Sequence, residues 1–95
     1  MPATLDGITT LEELRDYVQR VLCDHEDLLA DQCRILVQKL SRAGSFCGLR
    51  FLVRGPRQVR LAAIWTADRN QLYFYDATGT RFGKQRLTSP IRFEH

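Results

Sequence analysis

Early in the chain, apolar residues recur with a helical period. Leu11, Leu14, Val18, Val21 and Leu22 stand at offsets of 0, 3, 7, 10 and 11, one stripe of a helix. Its start is marked as well. Thr10-Leu11-Glu12-Glu13 places a hydroxyl at the cap and a glutamate three residues later, a capping box. Glu12, Glu13 and Asp16 add negative charge in the first turns, where the helix dipole favours it. The spacing predicts a helix over 10–24.

The pattern then loses its period. Asp24-His25-Glu26-Asp27 is polar, and Leu28-Leu29 can extend the helix or pack in a loop. Leu29, Cys33, Leu36, Val37 and Leu40 fit a second helical stripe. Against that, Ile35 and Val37 are β-branched, and Arg42-Ala43-Gly44-Ser45 reads as a turn between two strands. Residues 28–42 therefore stay open between helix and strand, with the hairpin reading slightly ahead.

From Phe46 the period is two. Cys47, Leu49, Phe51 and Val53 alternate, and Gly55-Pro56 ends the run because proline cannot donate to a ladder. Val59, Leu61, Ala63 and Trp65 alternate next. Asp68-Arg69-Asn70 turns the chain, with Asn70 suited to positive φ. Leu72–Tyr75 forms the following strand, and Thr78-Gly79 turns it into another over about Arg81–Leu87, which Ser89-Pro90 closes. Connections this short pair neighbouring strands antiparallel.

The expected fold is α+β, an N-terminal α-helix packed on an antiparallel β-meander of four to five strands. It occupies residues 1–95 as one domain: an arm at 1–9, the helix at 10–24, the sheet mainly at 34–88 and a frayed tail at 89–95. Two segments strain that picture. Leu61–Trp65 and Leu72–Tyr75 are apolar on both faces, whereas a half-exposed antiparallel strand alternates. One helix covers one face, so a second helix, a curled sheet or a second subunit is expected to cover part of the other. A homodimer is the form of this that symmetry makes common.

Composition is that of a globular protein, 44% hydrophobic and 26% charged. No apolar run approaches the roughly 20 residues that cross a bilayer, and Met1–Asp6 lacks the pattern of a secretory signal. No membrane association is expected, and the cytoplasm is the expected compartment. Three cysteines, Cys23, Cys33 and Cys47, carry no CxxC spacing and argue against a disulfide framework.

Charge changes the picture more. The net +3 divides into −3 over residues 1–44, with five Lys/Arg against eight Asp/Glu, and +6 over residues 45–95, with nine against three. Arg50, Arg54, Arg57 and Arg60 crowd the Gly55-Pro56 break, while Arg81, Lys84 and Arg86 line the last strand near Tyr73, Tyr75 and Phe82. Arginines that hold phosphates beside aromatics that stack on bases are the equipment of sheet-type RNA binders. The commoner account is that such arginines are solvated or pair with the acidic helix. The candidate binding residues are Arg54, Arg57, Arg60, Tyr73, Tyr75, Arg81, Lys84 and Arg86.

No catalytic residue, metal ligand set or cofactor is identified. The spacings of Cys23, His25, Cys33 and Cys47 match no common zinc site. Gly44-Ser45-Phe46 lacks the second glycine of a nucleophile elbow, and Gly79-Thr80-Arg81-Phe82-Gly83 lacks the hydroxyl and following helix of a phosphate loop. Besides His25, the terminal His95 is the other histidine. Three functions remain. The leading one is a non-enzymatic binding or assembly module, with a protein or nucleic-acid partner, acting through the sheet face or the arginine-rich hairpin. The second is RNA or DNA binding through the basic C-terminal half. The third, by fold-level analogy alone, is a small ribonuclease of the toxin type.

Overall fold

The computed structural model describes residues 4–5 and 7–92. Expectations that rest on His95 or on Met1–Asp6 as a unit fall outside the described residues. After the short strand β1 (Thr4–Leu5) comes the helix α1 (Leu11–His25), then β2 (Arg34–Arg42), β3 (Ser45–Arg54), β4 (Arg60–Thr66), β5 (Gln71–Tyr75) and β6 (Arg81–Leu87). The class is α+β: β2 to β6 form an antiparallel meander of five strands, and α1 packs across β2, β3 and β4. β1 adds a sixth strand to the sheet, parallel to β6, in what the sequence presents as an arm.

The helix begins as its sequence dictates. Thr10 Oγ1 accepts from the Glu13 N–H at 3.1 Å, and Glu13 Oε1 accepts from the Thr10 N–H at 3.1 Å. The carboxylate also takes the Thr9 N–H and both threonine hydroxyls, which hold Glu13 below the usual carboxylate range, the Thr9 backbone first among them. The stripe buries Leu14, Val18, Leu22 and Cys23 against Leu49, Phe51, Val53, Leu61, Ala63, Trp65, Leu72 and Phe74 of the sheet.

The segment that fits two periods is a strand. Across the turn, Ala43 at φ 53° and Gly44 at φ 82° both take left-handed backbone, the geometry of a tight hairpin. Further along, Gly48 has no room for a side chain, because a Cβ there would stand 2.1 Å from the Trp65 carbonyl oxygen. The register shifts beside it, between Leu40 and Ser41, and Cys47 falls on the bulge. Cys47 is therefore exposed, not a member of the buried row with Leu49.

Beyond Pro90 the chain is also tied down within the described residues. Arg92 N–H donates to the Thr9 carbonyl at 2.6 Å, and Ile91 packs on the core. Asn70, at φ 50°, locks the nearby turn: it accepts from Trp65 Nε1 at 2.8 Å and donates to the Ser89 carbonyl at 2.7 Å. No helix of the described residues is long and apolar enough to cross a membrane.

Candidate binding face on the open side of the sheet

In an antiparallel ladder, residues directly opposite one another point to the same side. The register therefore assigns the helix-free face row by row. The first row is Arg34, Arg54 and Arg60; the second is Leu36, Leu52, Ala62, Tyr75 and Arg81. The third is Gln38, Arg50, Ile64, Tyr73 and Lys84; the fourth is Leu40, Gly48, Thr66, Gln71 and Arg86. These rows hold seven cations and no carboxylate.

Most of the sequence-predicted residues thus come together. Arg54, Arg60, Tyr73, Tyr75, Arg81, Lys84 and Arg86 share the open face. Arg57 does not join the rows; it stands on the turn Pro56–Gln58 at the end of the sheet, in left-handed backbone at φ 61°. Phe82, close to the tyrosines in the sheet, lies on the other side. The register shift between Phe74 and Tyr75 makes Phe82 the extra residue of β6, and its ring packs on Phe74 and on His25. Two cations join the group that the sequence pattern did not assign to it. Arg34 lies in the segment of ambiguous period, and Arg50 sits between Gln38 and Ile64.

Around Tyr73 the cations are arranged over the ring, Arg81 Cζ at 5.5 Å and Lys84 Nζ at 5.8 Å from its centroid. The phenol donates to Gln71 Oε1 at 3.0 Å. Tyr73 and Tyr75 are half-buried and lie two residues apart on β5, about 6.7 Å along the strand. Between the cations lie apolar residues, Leu36, Leu52, Ala62 and Ile64, of which Leu36, on the edge strand β2, is the most open at 53% exposure.

Pairing with the acidic helix does not account for these charges. Residues 11–32 carry seven carboxylates against two arginines, but α1 lies on the opposite side of the sheet. Among the described residues, no ion pair joins a carboxylate to the cations of the rows. Arg34, Arg54 and Arg60 are direct partners across three strands, and like charges so placed are destabilising, on the scale of roughly 0.2–1 kcal/mol per pair.

The other candidate chemistries are dispersed. His25 stacks on Phe82 at 3.6 Å on the helix side, so the described part of the open face holds no imidazole. Cys23 and Cys33 are buried beside each other, and burial together with the neighbouring thiol pushes Cys23 up to about 12. No group of three potential metal ligands occurs among the described residues. Tyr17 donates to Gln85 Oε1, and Gln85 is the one fully buried polar side chain described. Burial raises the Tyr17 pKa, only partly offset by that hydrogen bond and by Arg20. No family model, curated protein or solved structure matches the chain.

Proposed function

We propose that this protein is a non-enzymatic binding module that holds a single strand of nucleic acid across the helix-free face of its sheet. One observation carries the reading: seven cations and no carboxylate share the rows of that face with Tyr73 and Tyr75. Arg81, Lys84 and Arg86 follow β6 as a track for phosphates, and the two tyrosines on β5 offer stacking surfaces for bases. A single strand suits the face better than a duplex, because its bases are free to stack on the open sides of the half-buried rings. The cytoplasm, the compartment expected from the sequence, supplies such strands.

Hydrolysis is not favoured by the same geometry. The described face has cations and phenols but no carboxylate or imidazole to move a proton. Self-association has one observation in its favour, the free edge of β2 with Leu36 beside it. Face-to-face pairing would oppose seven cations to seven, so a dimer of this chain would form along that edge.

The test is fluorescence anisotropy with a labelled mixed-sequence single-stranded RNA. Binding is expected at low salt, with log K falling against log salt at a slope of about −3 for four phosphates contacted. Replacing Tyr73 and Tyr75 by alanine is expected to weaken binding by about tenfold or more, since stacking contributes roughly 1–3 kcal/mol per base. Absence of binding at low salt would remove the reading.

A further inference from the structure

Three of the seven cations of the open face stand at one corner. Arg34, Arg54 and Arg60 stand side by side on β2, β3 and β4, and Arg50 projects from the same face two rows away. Arg50, Arg54, Arg60 and Tyr75 line a hollow of about 290 Å³, walled beyond Tyr75 by the loop that carries Asp76, Ala77 and Gly79. That volume is at the small end of the roughly 300–1,000 Å³ of ligand clefts, room for one group rather than a length of chain.

Asp76 is the carboxylate at the rim, and it is committed to its own loop. Its Oδ1 accepts from the Thr78 hydroxyl at 2.7 Å and from the Thr78 and Thr80 N–H groups at 3.0 Å each. Its charge remains at the rim, but among the described residues no ion pair joins a carboxylate to the guanidinium row, and Tyr75 stands next to that row.

We propose that this corner is the seat of a terminal phosphate of the bound strand, a phosphate monoester held by Arg54 and Arg60 in the hollow, with Arg34 next to them in the same row and the adjoining base on Tyr75. The inference rests on the single-strand reading above and adds the end of the strand to it. Two features favour an end over an internal position. An internal diester carries one negative charge, whereas a monoester carries about −1.5 to −2 at pH 7, the better match to three opposed arginines. The hollow is also small, about 290 Å³, which suits a terminal group better than a continuing chain. Guanidinium groups suit the task because their fork matches phosphate oxygens in pairs.

The experiment compares one short single-stranded oligonucleotide carrying a 5′-phosphate, a 3′-phosphate or neither, at fixed salt. One phosphorylated form is expected to bind about tenfold or more tighter than the unphosphorylated strand, as charge-assisted pairs would give. Lowering the pH from 7.5 to 5.5 should shrink that preference, because the second phosphate proton returns near pH 6. The exposed double substitution Arg54→Gln and Arg60→Gln should abolish the preference, bringing the phosphorylated strands down to the affinity of the unphosphorylated strand on the same variant; circular dichroism checks its fold. Equal affinity for all three strands would overturn the terminal-phosphate assignment and leave the single-strand reading intact. Failure of every strand to bind would overturn that reading and the inference together. A variant that loses affinity for all three forms equally would show the arginines to be general contacts and would also overturn the assignment.

Discussion

The two faces of this sheet are built from alternate residues of the same strands, and they obey different rules. On the helix side, Leu49, Phe51, Val53, Leu61, Ala63, Leu72 and Phe74 are each at most 2% exposed. One residue along, Arg50, Leu52, Arg54, Ala62, Tyr73 and Tyr75 stand half-buried or exposed on the open side. The closed face is selected for volume, and its buried polar group Gln85 is hydrogen-bonded. The open face mixes apolar residues with cations in its end row, along β6 and at Arg50 on β3, and it tolerates opposed arginines that cost stability. Among the described residues no carboxylate pairs with that row, and the proposed partner outside the chain would supply the negative charge.

The largest contrast should appear on truncation of adjacent residues. Phe51→Ala on the closed face is expected to cost about 3–5 kcal/mol in urea denaturation. Leu52→Ala, its neighbour on the open face, is expected to cost about 1 kcal/mol. Equal losses would contradict the distinction between the faces, because they would mean that the open one is sealed in the free protein.

A smaller effect follows from titration on the closed side. Cys23, pushed up to about 12 from an ordinary 9.0, and Tyr17, also raised, bind their protons more tightly folded than unfolded. Their contribution is complete below about pH 9 and is lost as pH climbs toward about 12, since the unfolded thiol ionises first. From Cys23 alone the slope is at most about 1.4 kcal/mol per pH unit. Cys23→Ala should flatten this alkaline limb. A limb unchanged in that variant would place the titrating group elsewhere.

The smallest effect belongs to the arginine row. Arg60→Gln should leave stability within about 0.5 kcal/mol of the parent, displaced toward stabilisation as the opposed charge is relieved. The same substitution should weaken oligonucleotide binding. A clear loss of stability with unchanged binding would reverse the meaning assigned to the open face.

Several elements are legible in the order of residues alone. The capping box at Thr10 and Glu13 is a local hydrogen-bond exchange, so four consecutive residues suffice to locate it. The alternation of Leu49, Phe51 and Val53 in β3, that in β4 and the turn at Asn70 are equally local, whereas the bulge that removes Cys47 from the row depends on pairing with β2. β2 is not, because Arg34–Arg42 satisfies both a helical and a strand period, and pairing with β3 decides between them. β1 is two residues long and owes its assignment entirely to the β6 edge. The candidate site shows the same division. Arg54 and Arg60 follow from parity within adjoining strands, but parity alone separates Arg81 from Lys84 and Arg86. The bulge at Phe82 returns Arg81 to their side.

The helix start, the succession of strands and turns and the excess of arginine in the second half are properties of neighbours along the chain, so the residue order is enough to set them. The separation of the acidic helix from the basic rows, on opposite sides of one sheet, is not such a property. Nor is the place of Arg34 beside Arg54 and Arg60. Those relations depend on register, where a slip of one residue exchanges the two faces, and register is set by packing across strands.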